Sequence, residues 1–159
     1  MSGIRELHIK LNRLCKANDE LYHNYAVRIG LSDSALWTLY AIYEAENALT
    51  QNELCANWCY SKQTVNSTVK TLEKKGLVML EHVEGTRVHK AIKLTGTGRD
   101  FCVRHIAPLI AAEEKALGYL SEEQRTVYYS LQEKEYELLK KELSEIETQG
   151  GAELAEQQI

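Results

Sequence analysis

The sequence predicts a mainly α-helical chain with a small β-hairpin wing, a winged helix-turn-helix flanked by N- and C-terminal dimerisation helices. Three observations carry that reading. Two helix-start signatures stand close together between residues 50 and 76. An alternating hairpin pattern follows at once, and the segments on either side repeat apolar residues at three and four. With 159 residues, 44% of them hydrophobic and 26% charged, the chain is long enough for one unit with a real core and short for a second independent domain. One unit over residues 1–148 is expected, its winged helix-turn-helix at about 32–98 and its dimerisation helices at about 4–29 and 99–148.

In the first helix, Ile4, Leu7, Leu11, Leu14, Leu21, Tyr25 and Ile29 form one apolar stripe. At about 1.5 Å per residue it is close to 40 Å long, too long to lie wholly on so small a domain, so part of it is expected to pack on another subunit. Ser32 is the N-cap candidate for a second helix through Leu36, Trp37, Tyr40 and Ile42, ending near Glu44-Ala45-Glu46-Asn47. Thr50-Gln51-Asn52-Glu53 is a capping box opening a short third helix that runs to about Asn57. Ser61 caps the next, which buries Val65, Val69 and Leu72, turns Gln63, Asn66, Ser67, Lys70 and Lys74 outward, and ends at Gly76.

After Gly76 the period changes to two. Leu77 to Val83 reads as a strand, Glu84-Gly85-Thr86 as its turn, and Val88 to Leu94 as the return strand. The wing tip carries Arg87 and is flanked by Lys90 and Lys93. From about Arg99 to Leu117 the chain is helical again, with Pro108 predicted to kink or break it. Ser121-Glu122-Glu123-Gln124 opens a last helix whose apolar side is Tyr128, Leu131, Leu138, Leu139 and Ile146. The tail over 149–159, with Gly150-Gly151, is expected to fray.

Charge is distributed unevenly. The formal net charge is −4, yet residues 61–99 hold eight Lys or Arg against three Glu, and residues 109–159 hold five against twelve acidic residues. A basic segment inside an acidic chain suggests a polyanion footprint confined to one face, or simply a solvated surface. No run approaches the roughly 18 apolar residues of a membrane span, and the charged N-terminus lacks the core of a signal peptide, so a cytoplasmic protein without membrane contact is expected. The four cysteines Cys15, Cys55, Cys59 and Cys102 make no disulfide framework.

The segment LTQNELCANWCYSKQTVNSTVKTLEKKGLV, the hairpin, and the exit Leu94-Thr95-x-x-Gly98 resemble the multiple-antibiotic-resistance regulator family, MarR, and the resemblance covers nearly the whole chain. It implies a dimeric winged-helix transcription factor. In such a protein the outer helices build the homodimer, the helix from Ser61 enters the major groove of a near-palindromic double-stranded DNA operator, and the wing reaches toward the minor groove. Residue chemistry agrees with those roles. Gln63, Asn66 and Ser67 can donate to and accept from base edges, while Lys62, Lys70, Lys74 and Lys75 can neutralise phosphates. With Ser61, Thr64, Arg87 and Lys90 they complete the expected DNA-contacting set.

Two positions depart from the family pattern. Its wing carries Asp-x-Arg where this sequence has Thr86-Arg87-Val88, so the Asp is absent and the Arg shifted by one. Cys59 stands at a turn position often held by Gly.

The resemblance also implies a cavity for a small aromatic effector, with Tyr22, His23, Trp37 and Tyr40 as candidate lining residues; as core and interface aromatics they are equally well explained. Cys15, beside Arg13 and Lys16, is a candidate redox sensor or a thiol packed next to Leu11 and Leu14. Cys55 and Cys59 with His82 or His89 match no standard zinc module, so neither a metal nor a cofactor is expected. No G-x-S-x-G, H-E-x-x-H or phosphate-loop motif is present, which argues against an enzyme. The competing class is a winged-helix adaptor that binds protein instead of DNA.

Overall fold

A computed structural model describes residues 3–45, 49–58, 60–82 and 90–156, excluding the side chains of residues 57 and 147–156. The elements are α1 (Gly3–Arg28), α2 (Asp33–Glu44), β1 (Leu49–Thr50), α3 (Gln51–Trp58), α4 (Lys62–Lys74), β2 (Val78–His82), β3 (Lys90–Leu94), α5 (Gly96–Gly118) and α6 (Glu122–Glu156). The chain divides into two compact units, Met1–Ile110 and Ala111–Ile159.

The first unit is built around α2, whose Ala35, Leu36, Leu39 and Ile42 are buried. Leu54 of α3, Val65, Val69 and Leu72 of α4, Ile92 of β3 and Cys102 and Ile106 of α5 fill the same core. The starts of α2, α3 and α4 are those the sequence predicts, because each carries its own donor or acceptor. Ser32 Oγ accepts from Ala35 N–H at 3.3 Å and Ser61 Oγ from Thr64 N–H at 3.1 Å. In the capping box of α3, Glu53 Oε2 accepts from Thr50 N–H at 2.7 Å and from its hydroxyl at 2.8 Å, and Thr50 Oγ1 accepts from Glu53 N–H at 3.3 Å.

Those bonds hold the Glu53 carboxyl below its usual value of 4.5, the Thr50 backbone amide contributing most and its hydroxyl next. A lowered folded-state pKa means that this contribution is complete at pH values above the ordinary carboxylate range and is lost as pH falls through the lowered value. Glu53→Gln is therefore expected to remove an acid-dependent part of stability. Melting curves of wild type and variant should differ at neutral pH and converge below pH 4.5; a constant offset at every pH would contradict this.

Gly30 and Gly76 both have positive φ, +75° and +70°, and end α1 and α4 alike. Leu31 N–H reaches back to Ala26 O at 2.9 Å, and Leu77 N–H to Leu72 O at 3.0 Å. This is the left-handed helix stop that glycine permits.

The wing strands β2 and β3 pair antiparallel with Val78 opposite Leu94 and His82 opposite Lys90. A third strand, β1, was not expected from sequence. Leu49 and Thr50 pair with Ile92 and Ala91 of β3, giving the sheet order β1-β3-β2. Two residues are too short for any period to show, and it is the pairing with β3 that makes them a strand.

The Leu94-Thr95-x-x-Gly98 exit has a local cause. Thr95 N–H donates to Leu77 O at 3.1 Å, its hydroxyl donates to Gly76 O at 2.6 Å, and its Oγ1 accepts from Gly98 N–H at 2.9 Å. Thr95 thus caps α5 and staples it to the end of α4, so the helix begins at Gly96 instead of the expected Arg99. Gly98 is buried against Leu77, where a Cβ would collide with the Leu77 carbonyl oxygen.

Pro108 was expected to kink or break its helix; α5 runs through it without a break, flanked by helical turns on both sides. In the second unit, Ser121 and Gln124 form the predicted capping box, with Ser121 N–H donating to Gln124 Oε1 at 2.8 Å and Gln124 N–H to Ser121 Oγ at 3.2 Å. The helix α6 runs from Glu122 through Gly150-Gly151 to Glu156. Once a helix is established each further residue adds a bond at little cost, and the sequence beyond the glycines, Ala152-Glu153-Leu154-Ala155-Glu156, consists of strong helix formers. Among the described residues no helix is long and apolar enough to cross a membrane.

Candidate nucleic-acid interface

Helix α4 has two faces of opposite character. Val65, Thr68, Val69 and Leu72 are buried, and Lys62, Gln63, Asn66, Ser67, Lys70 and Lys74 are exposed on the other side. The buried stripe fixes the helix on α2 and α3, and the spacing of 3.6 residues per turn then places the six polar side chains along one outward ridge. Lys62, Lys70 and Lys74 make no ion pair among the described residues, so their charge faces solvent.

The expected contact set divides when its bonds are followed. Ser61 Oγ is engaged at the helix start and also lies 2.8 Å from Thr64 Oγ1. Thr64 is half-buried, and Ser67 donates its hydroxyl to Thr64 O at 2.9 Å. Ser61, Thr64 and Ser67 thus have local hydrogen bonds along α4, while Gln63 and Asn66 present amides with both donor and acceptor capacity. Lys90 is exposed at the start of β3. Arg87, with the rest of the wing turn and the shifted Thr86-Arg87-Val88, lies outside the described residues, as do Cys59 and His89.

Two lysines have partners within the chain. Lys75, expected to neutralise phosphate, turns back across the domain and donates to Gly30 O at 2.8 Å. Lys93 is paired with Glu81 at 2.6 Å on the neighbouring strand. Sequence reasoning could not separate these from Lys70 and Lys74, because a lysine stem of four carbons reaches whichever acceptor the fold brings near.

Three of the four residues named for an effector cavity cluster. Tyr22 and Trp37 have ring centroids 4.7 Å apart, and Trp37 and Tyr40 5.4 Å apart. The sequence reading missed Trp58, whose ring centroid lies 5.3 Å from that of Trp37 and, edge-on, 5.8 Å from that of Tyr40, bringing the end of α3 into the cluster. Its signal was a large apolar side chain beside the helix-turn-helix corner. His23 is exposed, with Nδ1 3.0 Å from Asp33 Oδ1.

The cysteines are sorted by burial. Cys15, for which packing beside Leu11 and Leu14 was one reading, is exposed, and Leu14 itself is 68% exposed. Cys55 packs partly against the core, and Cys102 is fully buried, with burial raising its thiol pKa to about 11 against a small opposing effect of Arg99. Alkylation of the native protein at pH 8 should therefore modify Cys15 and spare Cys102 until the chain is unfolded. Mass mapping after iodoacetamide treatment checks this; early labelling of Cys102 would contradict it.

Comparison with known proteins agrees with this arrangement. The family model described as MarR family matches residues 29–87, the stretch holding α2 to β2. No curated protein matches the chain by sequence. Among solved structures, NMB1585, a MarR family regulator from Neisseria meningitidis, is similar with a TM-score of 0.73 at 22% identity, over 91% of this chain and 99% of that one. MepR of S. aureus in its DNA-binding conformation gives a TM-score of 0.71 at 20% identity over 83% and 98%, and a MepR–DNA complex gives 0.65 at 23% over 82% and 96%. At these identities the likeness is one of fold. The helix-turn-helix and the first wing strand match the family model, and the chain shares its fold with these MarR family regulators.

Proposed function

We propose that the protein is a homodimeric, sequence-specific DNA-binding transcriptional regulator, a cytoplasmic repressor that holds a near-palindromic operator and releases it on binding a small aromatic effector. The observation that carries the reading is the outward ridge of α4, where the amides of Gln63 and Asn66 lie between the ammonium groups of Lys62, Lys70 and Lys74. Amides distinguish bases and lysines hold phosphates, and the ridge supplies both on one helix. That a protein of the same fold, MepR, has been solved in complex with DNA supports DNA as the partner.

Dimerisation is supported by apolar residues that a single chain leaves uncovered. On α1, Ile4 is 81% and Leu21 69% exposed; Leu131 and Ile146 of α6 are similarly open. Each belongs to an apolar stripe predicted for a partner subunit, and such stripes are rarely left in water. Two copies of α4 at a fixed separation require half-sites at a matching spacing, so an effector acts by changing that separation. The rings of Tyr22, Trp37, Tyr40 and Trp58 are the apolar surface offered to it.

A thiol-based control is the second reading, favoured by the exposure of Cys15. Oxidant sensitivity that Cys15→Ser abolishes would select it over the effector. The decisive experiment is fluorescence anisotropy on the DNA upstream of the protein's own gene beside a scrambled duplex of equal length. Tighter, salt-sensitive binding to the upstream DNA is expected. Weak, salt-insensitive binding to both duplexes would favour a protein-binding adaptor.

A further inference from the structure

The corner between α1 and α2, Gly30 to Ser34, meets α4 and its flanks at three points. Just past the end of α4, Lys75 Nζ donates to Gly30 O at 2.8 Å. At mid-helix the buried Thr68 donates its hydroxyl to Ser34 Oγ at 3.0 Å, and Ser34 Oγ lies 3.2 Å from Ser32 Oγ, the N-cap of α2. Just before α4, the half-buried Tyr60 phenol has its pKa raised first by burial and then by the nearby charge of Asp33. Asp33 is itself gripped by His23 of α1.

We propose that Lys75 is a positioning residue for base reading and not a phosphate ligand: its bond to Gly30 O, with the Thr68–Ser34 bond, sets the angle at which α4 presents Gln63 and Asn66. The inference rests on the DNA-binding reading above. Base-edge hydrogen bonds tolerate only a few tenths of an ångström, so a helix free to pivot about its buried stripe loses them. Phosphate contacts made by flexible lysines survive the same pivot. Lys75 and Lys74 are adjacent in sequence and carry the same charge, yet substitution should affect discrimination in one case and general affinity in the other.

The test uses the full-length protein and the duplex that the wild type enriches most from a randomised pool, beside a scrambled duplex, with anisotropy read across salt concentrations. Lys75→Met is expected to weaken the enriched duplex by about three- to tenfold, as loss of one ordinary solvent-exposed hydrogen bond implies. It should leave the scrambled duplex and the salt slope unchanged, and Lys75→Arg, which keeps a donor, should restore discrimination. Ser34→Ala removes the partner of Thr68 without touching the surface of α4 and should reproduce the pattern. Lys74→Met, by contrast, should weaken both duplexes and reduce the salt slope by about 0.9.

Lys75→Met behaving like Lys74→Met would make Lys75 a phosphate ligand and overturn the proposal. Wild-type discrimination in both Lys75→Met and Ser34→Ala would overturn it as well, leaving the DNA-binding reading intact. A wild-type chain that enriches no duplex would overturn that reading and, with it, any role of Lys75 in base reading.

Discussion

Gly98→Ala should lower the melting temperature by about 6–12 °C, on an overpacking cost near 3 kcal/mol and the usual 2–4 °C per kcal/mol for a chain of this size. The new methyl group would collide with the carbonyl oxygen of Leu77, which is main chain and cannot swing aside as a side chain does. That carbonyl also accepts from Thr95 N–H, so relieving the collision by moving either strand end or helix start disturbs the staple between α4 and α5. The control is Gly96→Ala, two residues away at the start of the same helix, where an added Cβ meets nothing within 4 Å. There the usual preference of a helix for Ala over Gly should leave stability unchanged or raise it by a few tenths to about 1 kcal/mol. Thermal melts followed by circular dichroism decide the matter. Equal melting of the two variants would mean that α5 does not approach Leu77 as closely as described.

The second large effect is expected on DNA. Gln63→Ala or Asn66→Ala should reduce preference for the cognate duplex by about 1–3 kcal/mol, roughly five- to 150-fold, while general affinity changes little. Lys70→Ala should weaken cognate and random duplexes alike and flatten the salt dependence by nearly one unit of slope. The reason is geometric. A paired donor and acceptor on an amide match one base edge and mismatch others, whereas an ammonium group on a flexible stem meets any phosphate. Both side chains stand on the exposed ridge of α4, so their removal costs little stability and the binding change can be read directly. Equal losses on cognate and random DNA for all three variants would contradict the division between reading and holding.

Most of the helix-turn-helix was legible because its boundaries are local chemistry. Ser32, Ser61, the Thr50/Glu53 pair and the Ser121/Gln124 pair each satisfy amides within three residues of themselves, and Gly76 adopts the left-handed turn that a helix stop needs. The outward set on α4 followed from the position of its buried stripe. Where the reading fell short, the deciding partner was distant in sequence. β1 exists through its pairing with β3, some forty residues on; Trp58 joins the aromatic cluster through Trp37; Lys75 leaves the lysine ridge for Gly30. Pro108 and the Gly150-Gly151 pair are the opposite case, residues of low helix propensity through which a helix continues.

By itself, then, the sequence determined the order of helices and hairpin, the caps that start them, and the face of α4 that points outward. These depend on hydrogen bonds spanning three or four residues and on a periodicity that any reader of the chain can follow. Tertiary structure alone decided which like-charged or aromatic side chains act together: Lys75 with Gly30, Thr68 with Ser34, Trp58 with Trp37, and Gly98 against Leu77. A side chain's identity states what it can bond to, but only the packing of distant segments brings one acceptor, and not another, within 3 Å.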